Sequence, residues 1–159
     1  MATINKADMT PANKLGSTPW GNLAVLRYTF ETTSTGVAKE SDTTTAVAVG
    51  DVVRLGLIPS GFRVVDSEVI VSDAFTTGVT ARVGFAYADG EDVAAVPQDD
   101  DHFGTTLALG SAARLRSATT HATACLPKAA WLTLTIGGAA IAEAGKAEVI
   151  LFAVAEGAA

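Results

Sequence analysis

Between Gly50 and Gly90 the chain reads GDVVRLGLIPSGFRVVDSEVIVSDAFTTGVTARVGFAYADG, and its apolar residues alternate with polar ones in segments bounded by turn residues. A period of two is the signature of a strand with one buried face. Pro59-Ser60-Gly61 separates the first segment, Asp51 to Ile58, from the second, Phe62 to Asp73, because Pro fixes φ and Gly permits positive φ. The second segment is rich in Val and Ile, which suit a pleated surface. A loop through Thr76, Thr77 and Gly78 leads to the third, Val79 to Ala88. There Val79, Ala81, Val83, Phe85 and Tyr87 share one face, with Thr80, Arg82, Gly84 and Ala86 on the other. Asp89-Gly90 closes the block as a turn. The three segments are expected to pair as an antiparallel meander, and none carries catalytic chemistry.

Alternation extends along the chain. In LAVLRYTFE, Leu26, Tyr28 and Phe30 oppose Arg27, Thr29 and Glu31, a half-buried strand. Thr32 to Thr45 is too polar to pack by itself and reads as a loop or exposed hairpin, and Ala46 to Val49 as the start of a strand interrupted at Gly50. The acidic segment Asp89 to Gly104 is expected to be an exposed loop. Phe103 to Leu109 fits a short helix or a strand. Ala112 to Ser117 alternates, with Arg114 and Arg116 opposite Leu115. Ser117 to Lys128 is ambiguous and ends at Pro127. In Ala130 to Ile136, Trp131, Thr133 and Thr135 oppose Leu132, Leu134 and Ile136. The last segment, Lys146 to Ala155, is apolar on both faces, with Val149 and Leu151 against Ile150, Phe152 and Val154. That places it centrally in a sheet or at an interface. Seven or eight strands without a long helix predict an all-β fold, an antiparallel β-sandwich or jelly roll. The expected division is an extended arm over residues 1 to 22 and a sandwich domain over residues 23 to 159. Pro11, Pro19, Gly16 and Gly21 break up the first segment, which is either a frayed terminus or an arm anchored on a neighbour by Trp20.

Composition narrows the function. With 11 Lys and Arg against 17 Asp and Glu, the net charge is −6, which argues against nucleic acid as a partner. No apolar run approaches the roughly 20 residues that span a bilayer, so no membrane is expected. The first residues lack the apolar core of a secretory signal. Lone Cys125 excludes an intrachain disulfide, which fits synthesis in a reducing cytoplasm. Only 18% of residues are charged, against about 25% in an average soluble domain. A chain so poor in charge is expected to bury surface against copies of itself or a partner.

The chemical candidates are few. Asp89, Glu91, Asp92, Asp99, Asp100, Asp101 and His102 are clustered in sequence and offer oxygen ligands, but not at the spacing of an EF-hand loop. They read as solvated surface, as a contact surface or as an ion site. His121 and Cys125 lie four apart, and His102 adds a third donor without recognisable spacing, so no metal site is expected. Cys125 reads as a small buried apolar residue. Nucleophile elbows, phosphate loops and zincin motifs are lacking. No enzyme activity and no cofactor are expected. Trp20 and Trp131 leave open a carbohydrate-binding sandwich.

The order of segments resembles a known family. GDVVRLGLIPSG, Gly50 to Gly61, is followed by a Val-rich strand, by an acidic stretch closing on DDDHFG at Gly104, and by TIGGAA before the last strand. These features, which cover about two-thirds of the chain, resemble the head decoration, or cement, proteins of tailed bacteriophages. The resemblance implies a jelly roll that forms dimers or trimers and binds the major capsid protein on the outside of an icosahedral head. Candidate contacts are then Trp20 in the arm, Asp99, Asp100, Asp101, His102 and Phe103 in the acidic segment, and Ile150, Phe152 and Val154 on the last strand. A tail or fibre component is the other virion reading.

Overall fold

The computed structural model describes residues 1–5, 23–116 and 119–156. Among them the alternating segments form nine strands and no helix. These are β1 (Thr3–Asn5), β2 (Leu23–Glu31), β3 (Val52–Ile58), β4 (Phe62–Asp73), β5 (Thr80–Tyr87), β6 (Asp99–Ala108), β7 (Ala113–Arg116), β8 (Ala130–Gly137) and β9 (Lys146–Ala155). They build a β-sandwich of two sheets, ordered β1-β3-β8-β5-β6 and β2-β9-β4-β7. All pairings are antiparallel except that of β1 with β3.

The Gly50 to Gly90 block is not a meander. β3 and β5 lie in the five-stranded sheet with β8 between them, and β4 lies in the opposite sheet. The Pro59-Ser60-Gly61 turn, with Gly61 at φ +76°, is an arch between sheets rather than a hairpin. Its polar groups pair with a distant segment: the Gly61 N–H donates to the Leu126 carbonyl at 2.7 Å, and the Leu126 N–H donates to the Phe62 carbonyl at 2.9 Å. Alternation along each strand is the same in either arrangement, so it did not separate them.

The facing surfaces form one core. Leu26, Tyr28 and Phe30 of β2 and Val149 and Leu151 of β9 pack towards Leu132, Leu134 and Ile136 of β8, and all are buried. Phe30 stacks on Phe75 with centroids 5.3 Å apart. Two side chains tie the sheets through buried polar contacts, which keeps their desolvation from going uncompensated. The Tyr28 hydroxyl donates to the Leu57 carbonyl at 2.9 Å, and the Ser67 hydroxyl donates to the Phe103 carbonyl at 2.7 Å. Burial pushes the Tyr28 phenol well above its ordinary value.

Several local expectations are corrected. Residues 1 to 22 show no periodicity, yet Thr3–Asn5 pairs with Val52–Arg54 and Ile4 is buried. Asp51 accepts from the Ala2 and Ala48 backbone N–H groups, and Asp42 accepts from the Asn5 backbone and side chain. Residues 6–22, with Trp20, lie outside the described residues. Ala46 to Val49 forms only an isolated bridge, Val37 to Ala46, and Gly50 sits in a turn at φ +89°. The bulge of this region falls in β3, between Arg54 and Gly56. The acidic segment is a loop only as far as Gln98, because Asp99 opens β6. β6 is an edge strand, and charge there discourages pairing with another sheet. Phe103 to Ala108 is accordingly strand and not helix. On the other face of β8, Thr133 and Thr135 are only 3% and 6% exposed and line a recess shared with Val52 of β3 and Arg82 of β5.

Candidate assembly surface and histidine–carboxylate cluster

β9 is central in its sheet, between β2 and β4, as its two apolar faces require. Its inward face is core. Its outward residues Ile150, Phe152 and Val154 remain half-buried, and register brings apolar neighbours beside them: Leu23 pairs with Val154 and Val25 with Phe152. Val65, displaced by the bulge between Val64 and Asp66, lies on the neighbouring strand. Leu23, Val25 and Val65 are 62%, 47% and 43% exposed. An apolar strip therefore crosses the outside of the four-stranded sheet.

Charges border the strip. Arg27 pairs with Glu148 at 3.0 Å, Arg63 with Glu156 at 2.7 Å, Arg114 with Glu68 at 2.7 Å, and Arg116 with Asp66. The Arg63 guanidinium holds the Glu156 carboxyl below the usual range. An apolar centre within a polar rim is the anatomy of a protein interface. The ion pairs are exposed and contribute little to stability.

The acidic residues sit elsewhere, in an irregular part of β6. Val83 pairs with Gly104 and Phe85 with Asp99, so one residue of β5 spans four of β6. This bulge breaks the alternation of Asp100 to Phe103 along the strand. Gly84 lies beneath it. A Cβ there would meet the Asp99 carbonyl oxygen and the Asp100 backbone well inside van der Waals contact. Gly84→Ala is therefore expected to cost about 1–3 kcal/mol, as an overpacked site does. Denaturant unfolding checks this, and an unchanged midpoint would show that the bulge lifts freely.

Within the bulge, His102 packs edge-on against Phe85 and Phe103, at centroid distances of 5.4 and 5.1 Å. Phe103 is itself buried, so it anchors the bulge and offers no surface to a partner. The Thr119 hydroxyl donates to the His102 carbonyl at 3.1 Å, drawing in the connection between β7 and β8. That brings His121 to 5.2 Å from the His102 ring. Asp99 Oδ2 lies 3.7 Å from His102 Nδ1 and 3.5 Å from His121 Nδ1, and Asp101 Oδ1 lies 3.6 Å from His121 Nε2. Asp100 turns away to Arg82 at 2.7 Å. Burial lowers the His102 pKa, and neighbouring His121 adds to that. Partial burial would raise Asp99, but the Asp101 backbone N–H and side chain and the two imidazoles outweigh it and hold Asp99 low. Asp101 is raised, by burial and by Asp99.

Sequence spacing paired His121 with Cys125, but that segment is not helical. Cys125 instead bridges to Arg63 on β4. Trp131 is half-buried, with the Arg54 guanidinium 5.7 Å from its ring centroid, which occupies a face a sugar would need. On the outer face of the five-stranded sheet, a cavity of about 540 Å³ is lined in part by Arg82, Asp99, Thr133 and Thr135. Among the described residues the Thr133 and Thr135 hydroxyls find no partner, and the cavity has room for solvent to satisfy them.

No family model matches the chain, and no curated protein does. Solved structures do. A chain of the Ralstonia phage GP4 capsid aligns with a TM-score of 0.64 and 17% identity, covering 99% of both chains. A chain of the cyanophage Pam1 capsid asymmetric unit aligns with a TM-score of 0.57 and 17% identity, covering 94% of this chain and 96% of that one. At that identity the likeness concerns the fold.

Proposed function

We propose that the protein is a non-enzymatic structural component of a phage virion, a decoration protein that binds the outside of an icosahedral head. The observation that carries this reading is the end-to-end likeness to chains of two phage capsids. The resemblance of Gly50 to Val154 to head decoration proteins supports the finer role. The apolar strip around Phe152 supports self-association into a dimer or trimer. The oligomer bridges neighbouring copies of the major capsid protein, so shell rupture must break its contacts too. Binding the mature lattice in preference to other states stabilises it by mass action.

In this scheme two regions meet the capsid. One is the polar bulge carrying Asp99, Asp100, Asp101 and His102. The other is the arm with Trp20. Trp20→Ala is expected to weaken head binding by about tenfold or more, as loss of an aromatic anchor does, without changing the thermal midpoint. A sedimentation assay with undecorated heads checks this, and unchanged binding would remove Trp20 from the mechanism. Deleting residues 2 to 19 is a poorer test, because it also removes β1 and buried Ile4.

The function is tested by titrating purified protein onto undecorated heads. Saturation at a fixed ratio to capsid subunits, by a species that sediments as an oligomer, is expected. A monomer that ignores heads but binds a glycan array would replace this reading with the carbohydrate-binding one. Density on the tail would assign it to the tail.

A further inference from the structure

The chain has two histidines, and the fold brings both to one carboxylate from segments unrelated by any ligand spacing. We propose that Asp99, His102 and His121 form a binding site for a divalent metal ion of the zinc type, clamping the connection between β7 and β8 onto edge strand β6. This does not depend on the virion reading.

The geometry carries it. A tetrahedral ion with bonds of roughly 2.0–2.1 Å has its ligand atoms about 3.3 Å apart. Asp99 Oδ2 lies 3.7 and 3.5 Å from the Nδ1 atoms of His102 and His121. One donor atom from each of the three residues falls within 4.8 Å of the others. Closing the set around an ion needs only a small contraction, mostly of the His121 loop, whose imidazole is 39% exposed. The rest is held in place. Asp99 Oδ1 accepts the Asp101 N–H at 3.1 Å, which leaves Oδ2 directed at the imidazoles. His102 is fixed between Phe85 and Phe103.

An outer ligand partner is present as well. With Nδ1 on the metal, His121 would direct its Nε2–H at Asp101 Oδ1, 3.6 Å away. A carboxylate behind a ligating imidazole fixes its tautomer and raises its basicity. Three protein ligands leave a fourth position for water, and a cavity of about 140 Å³ opens beside the two histidines, lined by His102, His121 and Thr119. Two nitrogens and one oxygen favour zinc-like ions over calcium, which takes six to eight oxygens. Bound metal stabilises the fold by mass action and links a loop to the free edge of the sandwich.

The test uses the full-length, tag-free protein stripped with chelator and titrated with Zn²⁺ or Co²⁺ alone, followed by calorimetry and by the thermal midpoint. One equivalent per chain and a raised midpoint are expected. His121→Ala and Asp99→Asn should each weaken binding by at least tenfold and abolish the rise, and Asp101→Asn should weaken it by about tenfold. Cys125→Ser should bind as the parent does. His121→Ala is exposed enough to fold, and its metal-free midpoint should match the parent's. The proposal is overturned by an absence of saturable binding, by full affinity in folded His121→Ala, by loss of binding in Cys125→Ser, or by an equal midpoint shift with Ca²⁺.

Discussion

Phe30→Ala should lower the free energy of unfolding by about 3–5 kcal/mol, the usual cost of deleting a buried aromatic ring. Phe30 is fully buried, and its ring stacks on Phe75 with an interplanar angle of 16°. Truncation removes apolar area from the core and leaves a cavity that the sheets cannot close, because β2 is held to β9 along its whole length, from Leu23 to Glu31. Phe75 loses its stacking partner, while Gly145 stays close against its ring. A loss of that size is a large fraction of a domain's stability. Urea unfolding at constant slope measures it. A loss below about 1 kcal/mol would mean that the sandwich collapses around the gap, contrary to a rigid two-sheet core.

Glu placed at both Val25 and Phe152 should abolish self-association and reduce head binding by on the order of a hundredfold, at a modest cost in unfolding free energy because the two carboxylates face each other and Asp66 lies opposite Phe152. The two positions are directly paired on the outer face of the four-stranded sheet. Val25 is exposed and Phe152 half-buried, so neither substitution opens the core. In an assembled interface the two carboxylates would be desolvated without partners, at a cost of several kcal/mol. Arg27→Ala is the matched control. It removes an exposed ion pair with Glu148 at the rim, where truncation has little effect. Sedimentation velocity across the three proteins reads the result. Equal loss in Arg27→Ala would shift the interface from the apolar strip to its border.

Much of the sandwich was legible because strands with one buried face announce themselves by period. Leu26, Tyr28 and Phe30, and Val83, Phe85 and Tyr87, point into the core as their alternation requires. The two apolar faces of β9 left a central place or an interface open, and the strand order gives the central place. Strand partners were not legible, because Pro59-Ser60-Gly61 serves equally as a hairpin or as an arch, and the groups that decide it, around Leu126, lie far along the chain. Asp99–Asp101 was misread for a related reason. Aspartates disfavour strands on average, but an edge strand with a bulge tolerates them, and Gly84 on the neighbouring strand makes the room. The histidine cluster left no spacing signal at all. His102 and His121 meet because Thr119 bonds back to β6, and the nearer pairing in sequence, His121 with Cys125, is not formed.

On the proposed role the sandwich works by being covered, its apolar strip against a second copy and its acidic bulge against a capsid. Image reconstruction of undecorated heads saturated with the protein tests that most directly. Density is expected outside the shell, at junctions between capsid subunits, with the strip of Val25, Phe152 and Val154 buried against a second copy. Isolated single copies on the head with that strip facing solvent, or a head surface left bare at saturation, would contradict it.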